Sequence, residues 1–111
     1  MGDRAMAEIK TGDGSLFVYS HRGGFELPEN AKKAIALAKD RWGDIPYATH
    51  IIIDQLTKEG RDSETGFGIM LRPNAEDDYN DNQPSVIIDL LKRELTVIRD
   101  EETKSIAFLE V

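Results

Sequence analysis

Hydrophobic residues at strand spacing occupy the beginning and the last half of the chain. Residues 16–19 are LFVY, a run with high strand propensity, and the turn residues just before it would let residues 7–10 pair back as a short strand. Phe67, Ile69 and Leu71 recur at every second position, which predicts a half-buried strand. Three further runs predict an antiparallel meander, and its last strand continues through the apolar tail; the runs are 86–90, 95–99 and 105–109, and the tail is 106–111.

Between these strands the hydrophobic positions take the period of a helix. From Leu27 onward, apolar residues fall on one face and charged residues on the other, which predicts a helix over 28–42 with proline in its first turn and glycine after its end. Asp44 is the predicted N-cap of a second helix that ends near residue 58. The consecutive isoleucines at 51–53 would also suit a buried strand, but the helical spacing of the apolar residues across the segment favours the helix.

The predicted order of elements, counted from the strand at 16–19, is β-α-α-β-β-β-β. Early helices and late strands are typical of an α+β fold, so we predict a two-layer sandwich in which a helix pair covers one face of an antiparallel sheet. Residues 15–111 are expected to form this single domain, because a chain of 111 residues has room for one core. Residues 1–14 are expected to be a frayed N-terminal segment or a short edge strand.

The amino-acid composition and charge exclude several classes of protein. The chain has 14 basic and 21 acidic residues, a net charge of −7 and no cysteine, which excludes disulfide scaffolds and cysteine-ligated zinc sites. Glu76, Asp77, Asp78 and Asp81 lie in one short stretch without a base, so an acidic loop carries most of the excess charge. This balance argues against a broad nucleic-acid footprint. Without a long apolar run or a signal-peptide pattern, we predict no membrane association and a cytoplasmic location.

The leading candidate for ligand binding is the loop that joins the strand at 16–19 to the first helix. It contains His21, Arg22, Gly23 and Gly24. Glycines let backbone amides approach an anion, a helix N-terminus adds positive potential, and an arginine can hold a phosphate or carboxylate through paired hydrogen bonds. The alternative is a tight turn with Arg22 on the surface, because two adjacent glycines do not make a complete phosphate-binding motif.

Four residues near the two helices are further candidates. Tyr47, His50 and Asp54 are three and four residues apart, so a helix places them on one face, where a carboxylate would orient the imidazole as a general base. His50 and Asp54 are therefore candidates for catalysis, but no nucleophile can be assigned, and a helix surface would equally accommodate them. Trp42 would either mark a binding surface or pack in the core, since it is in register with the apolar face of the first helix.

No metal and no cofactor are predicted. Asp78, Asn80 and Asn82 match the first three ligand positions of a calcium loop, and Asp89 falls at the twelfth. Glutamine, however, occupies position 83, where the sharp turn of such a loop needs glycine, and a proline follows. The acidic loop is therefore expected to be solvated.

The chain resembles a family of small uncharacterised bacterial and bacteriophage proteins. The segments that carry the resemblance are VYSHRGG at 18–24, LP at 27–28, RWGD at 41–44, Tyr47, SETGFGI at 63–69 and VIIDL at 86–90. They cover most of residues 16–99, and the strand, glycine loop, two helices and later strand that they mark arrive in the same order. The resemblance implies an intracellular protein of phage or prophage origin, and it implies no activity.

Three functional hypotheses follow. The first is a non-enzymatic binding or regulatory module whose interaction surface combines the loop at 21–24 with the corner from Arg41 to Tyr47, and whose partner is a protein or a small anionic ligand. The second is a nucleotide- or phosphate-handling enzyme that uses Arg22 for the anion and His50 with Asp54 as base. The third is a self-associating protein, a homodimer in which apolar groups on both faces of the strand at 106–111 pair with another chain.

Overall fold

The protein combines two α-helices with a six-stranded sheet in the part of the chain that the structure describes. This structure is a computed structural model, and it describes residues 5–20, 26–58, 67–71, 85–99 and 102–111. The elements in chain order are β1 Ala5–Lys10, β2 Ser15–Ser20, α1 Leu27–Leu37, α2 Ile45–Leu56, β3 Phe67–Met70, β4 Val86–Asp89, β5 Glu94–Arg99 and β6 Glu102–Ala107. Two short 3₁₀ helices follow α1 and β6, at Lys39–Arg41 and Phe108–Glu110. The predicted α+β class is confirmed.

The strands lie in the order β3-β2-β1-β4-β5-β6 within one sheet. All neighbours are antiparallel except β1 and β4, which run parallel with Ala7 beside Val86 and Ile9 beside Ile88. The prediction of a purely antiparallel sheet is therefore wrong. The prediction that residues 7–10 pair back as a strand is confirmed by the pairing of β1 with β2, whereas the prediction of a frayed segment or an edge strand is wrong for residues 5–10, because β1 lies between β2 and β4. All four of these paired residues are fully buried, as is usual where strands have neighbours on both sides and helices above them.

The helix pair packs against one face of the sheet. Side chains alternate along a strand, so β1 directs Ala5, Ala7 and Ile9 into this core, while the neighbouring strands add Val18, Val86, Ile88 and Leu95. The helices bury the apolar faces that their periodicity predicts, made of Leu27, Ala31, Ala34, Ile35, Ala48, Ile52 and Leu56. The predicted two-layer arrangement of helices on a sheet is thus confirmed.

The first helix is shorter than its pattern predicts, because it ends at Leu37 instead of residue 42. The chain continues through the 3₁₀ helix Lys39–Arg41 and brings Trp42 back toward the core, where the side chain is 7% exposed. The Trp42 indole N–H donates a hydrogen bond of 3.0 Å to the carbonyl of Ile35. That carbonyl belongs to the last turn of α1, where carbonyls lack the usual partner four residues ahead. Trp42 therefore packs in the core from the connection between the helices.

The second helix begins where the sequence predicts and includes the three isoleucines at 51–53. Asp44 occupies the N-cap position, but its side chain makes no capping hydrogen bond. Instead its backbone carbonyl accepts the first helical hydrogen bond, from the N–H of Ala48 at 2.9 Å. The helix ends at Leu56, two residues before the predicted end.

The C-terminal residues differ most from expectation. The last strand covers Glu102–Ala107, earlier than the predicted 105–109, and residues 108–110 form a 3₁₀ helix instead of continuing the strand. Phe108 is 2% exposed, and its ring centroid lies 5.1 Å from that of Trp42. The core therefore draws Phe108 inward, which ends β6 at Ala107. The predicted apolar strand at 106–111 is wrong.

Candidate functional site

The paired residues at the two ends of the sheet locate the candidate segments that the structure describes. A row of paired residues marks one end, which we call the Lys10 end; it consists of Lys10, Ser15, Asp89, Glu94 and Ala107. β2 leaves the sheet at the opposite end, where Ser20 pairs with Ala5. His21, Arg22, Gly23 and Gly24 come directly after Ser20 and lie outside the described residues.

The corner from Arg41 to Tyr47 lies at the Lys10 end. This follows from Trp42, whose ring contacts Phe108, the residue after β6. The hypothesis of one surface that combines this corner with the loop at 21–24 stays a prediction, because that loop lies outside the described residues.

Arg41 and Tyr47 form an exposed pair on either side of the buried Trp42. The guanidinium carbon of Arg41, at the end of the 3₁₀ helix, lies 5.4 Å from the centre of the Tyr47 ring in the first turn of α2. Tyr47 is 59% exposed, and Arg41 is exposed as well. A guanidinium over an aromatic face is stabilised by about 0.5–1 kcal/mol at such a site. The ring thus restrains Arg41 while leaving it accessible to a ligand.

Arg93 extends this pair into what we call the arginine corner, made of Arg41, Gly43, Tyr47 and Arg93. Arg93 is exposed and ends the turn between β4 and β5, and its terminal nitrogen Nη2 lies 3.9 Å from the position that a Cβ on Gly43 would occupy. The Arg93 side chain therefore lies against the backbone between Arg41 and Tyr47. Arg93 is not among the residues that the sequence singles out, because an arginine in a strand-to-strand turn carries no signal that distinguishes it from an ordinary surface residue.

The backbone of Arg93 is held in an unusual conformation. Its φ of 55° is the only positive φ of a non-glycine residue in the described ranges, and the left-handed region costs such residues roughly 1–2 kcal/mol. Asp89 stabilises the start of the turn, since its carboxylate accepts hydrogen bonds of 3.0 Å from the N–H groups of Leu91 and Lys92. At the end of the turn, the Arg93 carbonyl accepts a hydrogen bond of 2.8 Å from the N–H of Phe108. Asp89, whose spacing matches the twelfth position of a calcium loop, thus stabilises a turn through its carboxylate.

No described carboxylate pairs with the two arginines of the corner. An ion pair on α1 joins Lys32 to Glu29 at 3.2 Å, but neither Arg41 nor Arg93 has an acidic partner within 4 Å in the described ranges. Two guanidinium groups are thus exposed on a chain of net charge −7. Among the described residues, no carboxylate occupies their hydrogen-bond donors.

The predicted row on the second helix is present but exposed. α2 places Tyr47, His50 and Asp54 three and four residues apart, and all three side chains are exposed. Tyr47 belongs to the arginine corner, whereas Asp54 lies in the last turn of the helix. The catalytic hypothesis for His50 and Asp54 stays a prediction, because the anion-binding loop that it needs lies outside the described residues.

Metal-ligating residues do not cluster in the described part of the chain. No group of three or more histidine, cysteine, aspartate or glutamate side chains is placed there to hold an ion. The acidic residues Glu76, Asp77, Asp78 and Asp81 lie outside that part, so the expectation of a solvated loop stays a prediction. In the described segments no helix is long and apolar enough to cross a membrane.

Comparisons of the chain with protein-family models, curated proteins and solved structures found no match. The resemblance to small bacterial and bacteriophage proteins therefore stays a prediction, and the geometry of the arginine corner is the main basis for a functional proposal.

Proposed function

We propose that the protein is a binding module that performs no chemistry of its own and that holds an acidic group of a partner at the arginine corner. The observation that carries this proposal is the arrangement of two exposed guanidinium groups, one over the Tyr47 ring and one against Gly43, without a described carboxylate partner. The acidic group belongs to a partner protein or to a small anionic ligand.

Both arginines of this corner are restrained, and this restraint distinguishes the corner from a surface with freely moving charged side chains. A guanidinium presents donors in a rigid fork that matches a carboxylate or phosphate, and a side chain that is already ordered loses less entropy on binding. Arg41 is restrained by the Tyr47 ring, and the Arg93 backbone is tied at both ends of its turn. Because the whole chain is acidic, the attraction must be local, so binding should weaken as salt screens it.

The proposal is tested with two probes, a hexaglutamate peptide and inorganic phosphate, titrated into isotopically labelled protein and followed by amide chemical shifts. We expect the peptide to shift the amides of residues 41–47 and 91–93 and the Arg93→Gly variant to lower its affinity by about fivefold or more. Glycine suits a φ of 55°, so this variant keeps the turn. Arg41→Ala should have a similar effect.

The matched control is Lys33→Ala, which removes the same charge from an exposed position on α1. Its affinity for the probes should equal that of the unmodified protein. Equal losses in Lys33→Ala and Arg93→Gly would show that net charge, not the corner, governs binding. Failure of both probes to shift any amide of the corner at millimolar concentration would refute the proposal.

The enzyme hypothesis remains the alternative, and no observation on the described residues favours it. A cytoplasmic location and a phage or prophage origin likewise stay predictions. Self-association, the third hypothesis, has a separate structural basis at the edge of the sheet.

A further inference from the structure

Three residues of the edge strand β6 direct their backbone groups away from the sheet. The N–H of Phe108 donates to the carbonyl of Arg93, so the chain at position 108 faces β5. Backbone groups point to alternate sides along a strand, so residues 106, 104 and 102 also face β5. Thr103, Ser105 and Ala107 must therefore face outward.

The hydrogen bonding of β5 supports this assignment independently. The N–H of Ile98 donates to the carbonyl of Ser85, on the β4 side, so Leu95 and Val97 face β6. These two residues are the register partners of Ile106 and Lys104, which are the residues of β6 that face inward. The outward residues thus present a row of donors and acceptors at strand spacing that no described residue pairs with, and another extended strand would satisfy them along the whole length of β6.

We propose that β6 pairs in antiparallel orientation with β6 of a second copy of this chain, about a two-fold axis at Ser105. In this register Ser105 faces Ser105 of the second copy, and Thr103 faces Ala107 of the second copy. The three outward pairs would form about six backbone hydrogen bonds and join the two sheets into one. The proposal does not depend on the arginine corner.

The side chains of β6 suit this arrangement. Threonine, serine and alanine are small, and they share the sheet face that the helices leave open, where Ser105 Oγ lies 3.1 Å from Thr96 Oγ1. All six residues of β6 pair with β5 in continuous register, and the strand contains no proline. Two of the usual devices that block an edge, a bulge and a proline, are therefore absent from β6, although Lys104 is a charged edge residue.

Charge is compatible with a second copy at β6, and charge together with the number of outward pairs selects the register. β6 contains one acid and one base, so it is locally neutral, although each chain carries a net charge of −7. Two copies can therefore touch along this strand without the repulsion that other surfaces would cause. Centring on Ser105 places Lys104 opposite Ile106 of the second copy. Moving one strand by two residues in one direction would oppose the two Lys104 side chains, which is destabilising. Moving it in the other direction would leave two outward pairs instead of three.

A strand pair of this length buries less than the roughly 1,200 Å² of a stable interface, so the dimer should be weak and is best trapped covalently. The chain has no cysteine, so introduced thiols react without competition. In an antiparallel hydrogen-bonded pair the Cα atoms are about 5.5 Å apart, within disulfide range. Ser105→Cys with oxidised glutathione as the oxidant should therefore give a disulfide dimer.

The matched control is Thr103→Cys, on the same exposed strand and face. The two Thr103 residues of such a dimer lie about 14 Å apart, so this variant should form several-fold less disulfide dimer under the same conditions. In the unmodified protein, sedimentation equilibrium at about 0.5 mM should show a dimer fraction that grows with concentration. Ser105→Pro should abolish that fraction while circular dichroism shows an intact fold, because the N–H of Ser105 is not used within the sheet.

Cross-linking of Ser105→Cys well above Thr103→Cys, together with loss of the dimer in Ser105→Pro, would support the proposal. Equal cross-linking of the two cysteine variants would indicate random collision and overturn it. A monomeric mass for the unmodified protein at about 0.5 mM would overturn it as well. In that case Lys104 and Glu102 would be the charged residues that prevent the edge strand from pairing with another copy.

Discussion

Truncation of Ile35 to alanine measures how much the packing of α1 on the sheet contributes to stability. Ile35 has no exposed surface, whereas Leu37, two residues later in the same helix, is 63% exposed. Replacing either residue with alanine removes a branched aliphatic group of the same size from the same helix. Leu37→Ala is therefore a control for the substitution itself, and the difference between the variants reports burial.

The expected magnitude follows from the surroundings of Ile35. Loss of three buried carbon groups costs about 2.4 kcal/mol at roughly 0.8 kcal/mol each. A cavity adds to this cost when neighbours cannot fill it, and the nearest residues on the buried face of the helix, Ala31, Ala34 and Ala38, are too small to do so. We expect Ile35→Ala to lower the free energy of unfolding by about 3–4 kcal/mol and Leu37→Ala to change it by less than about 0.5 kcal/mol.

Urea unfolding followed by the fluorescence of the single tryptophan provides the assay. Trp42 is buried and bonded to the Ile35 carbonyl, so its emission should shift to the red as the core opens. At about 4 °C per kcal/mol, the melting temperature of Ile35→Ala should fall by roughly 12 °C. A loss of stability below about 1 kcal/mol in Ile35→Ala, or equal losses in both variants, would refute the assignment of the buried face.

Three further changes test the connection between the helices and the turn after β4. Trp42→Phe keeps an aromatic ring against Phe108 but loses the N–H that bonds the Ile35 carbonyl, so thermal unfolding should show a loss of about 1 kcal/mol. Asp89→Ala should cost about 1–2 kcal/mol because two backbone N–H groups lose their acceptor, whereas Asp89→Asn, which keeps an acceptor oxygen, should lose less in urea titrations. Arg93→Gly should leave stability unchanged or raise it by up to about 1 kcal/mol, because glycine relieves the positive φ; a clear loss in calorimetry would mean that the Arg93 side chain is needed for the fold.

The residues of the arginine corner could not all be identified from the sequence. Tyr47 and the segment beginning at Arg41 are adjacent in the chain, and a helix start between them is visible as the Asp44–Pro46 pattern. Arg93 is about fifty positions away in the sequence and reaches Gly43 only because β4 and β5 return the chain to the Lys10 end of the sheet. No local pattern encodes that approach.

Local periodicity in the sequence was sufficient to predict both helices, five of the strands with small errors at their ends, the buried face of each helix and the α+β class. These features depend on residues within a few positions of one another, where the helix and strand periods decide which side chains share a face. The pairing of strands depends instead on contacts between distant segments. Only the tertiary structure therefore placed β1 at the centre of the sheet, parallel to β4, and only the contact between Trp42 and Phe108 decided where α1 and β6 end.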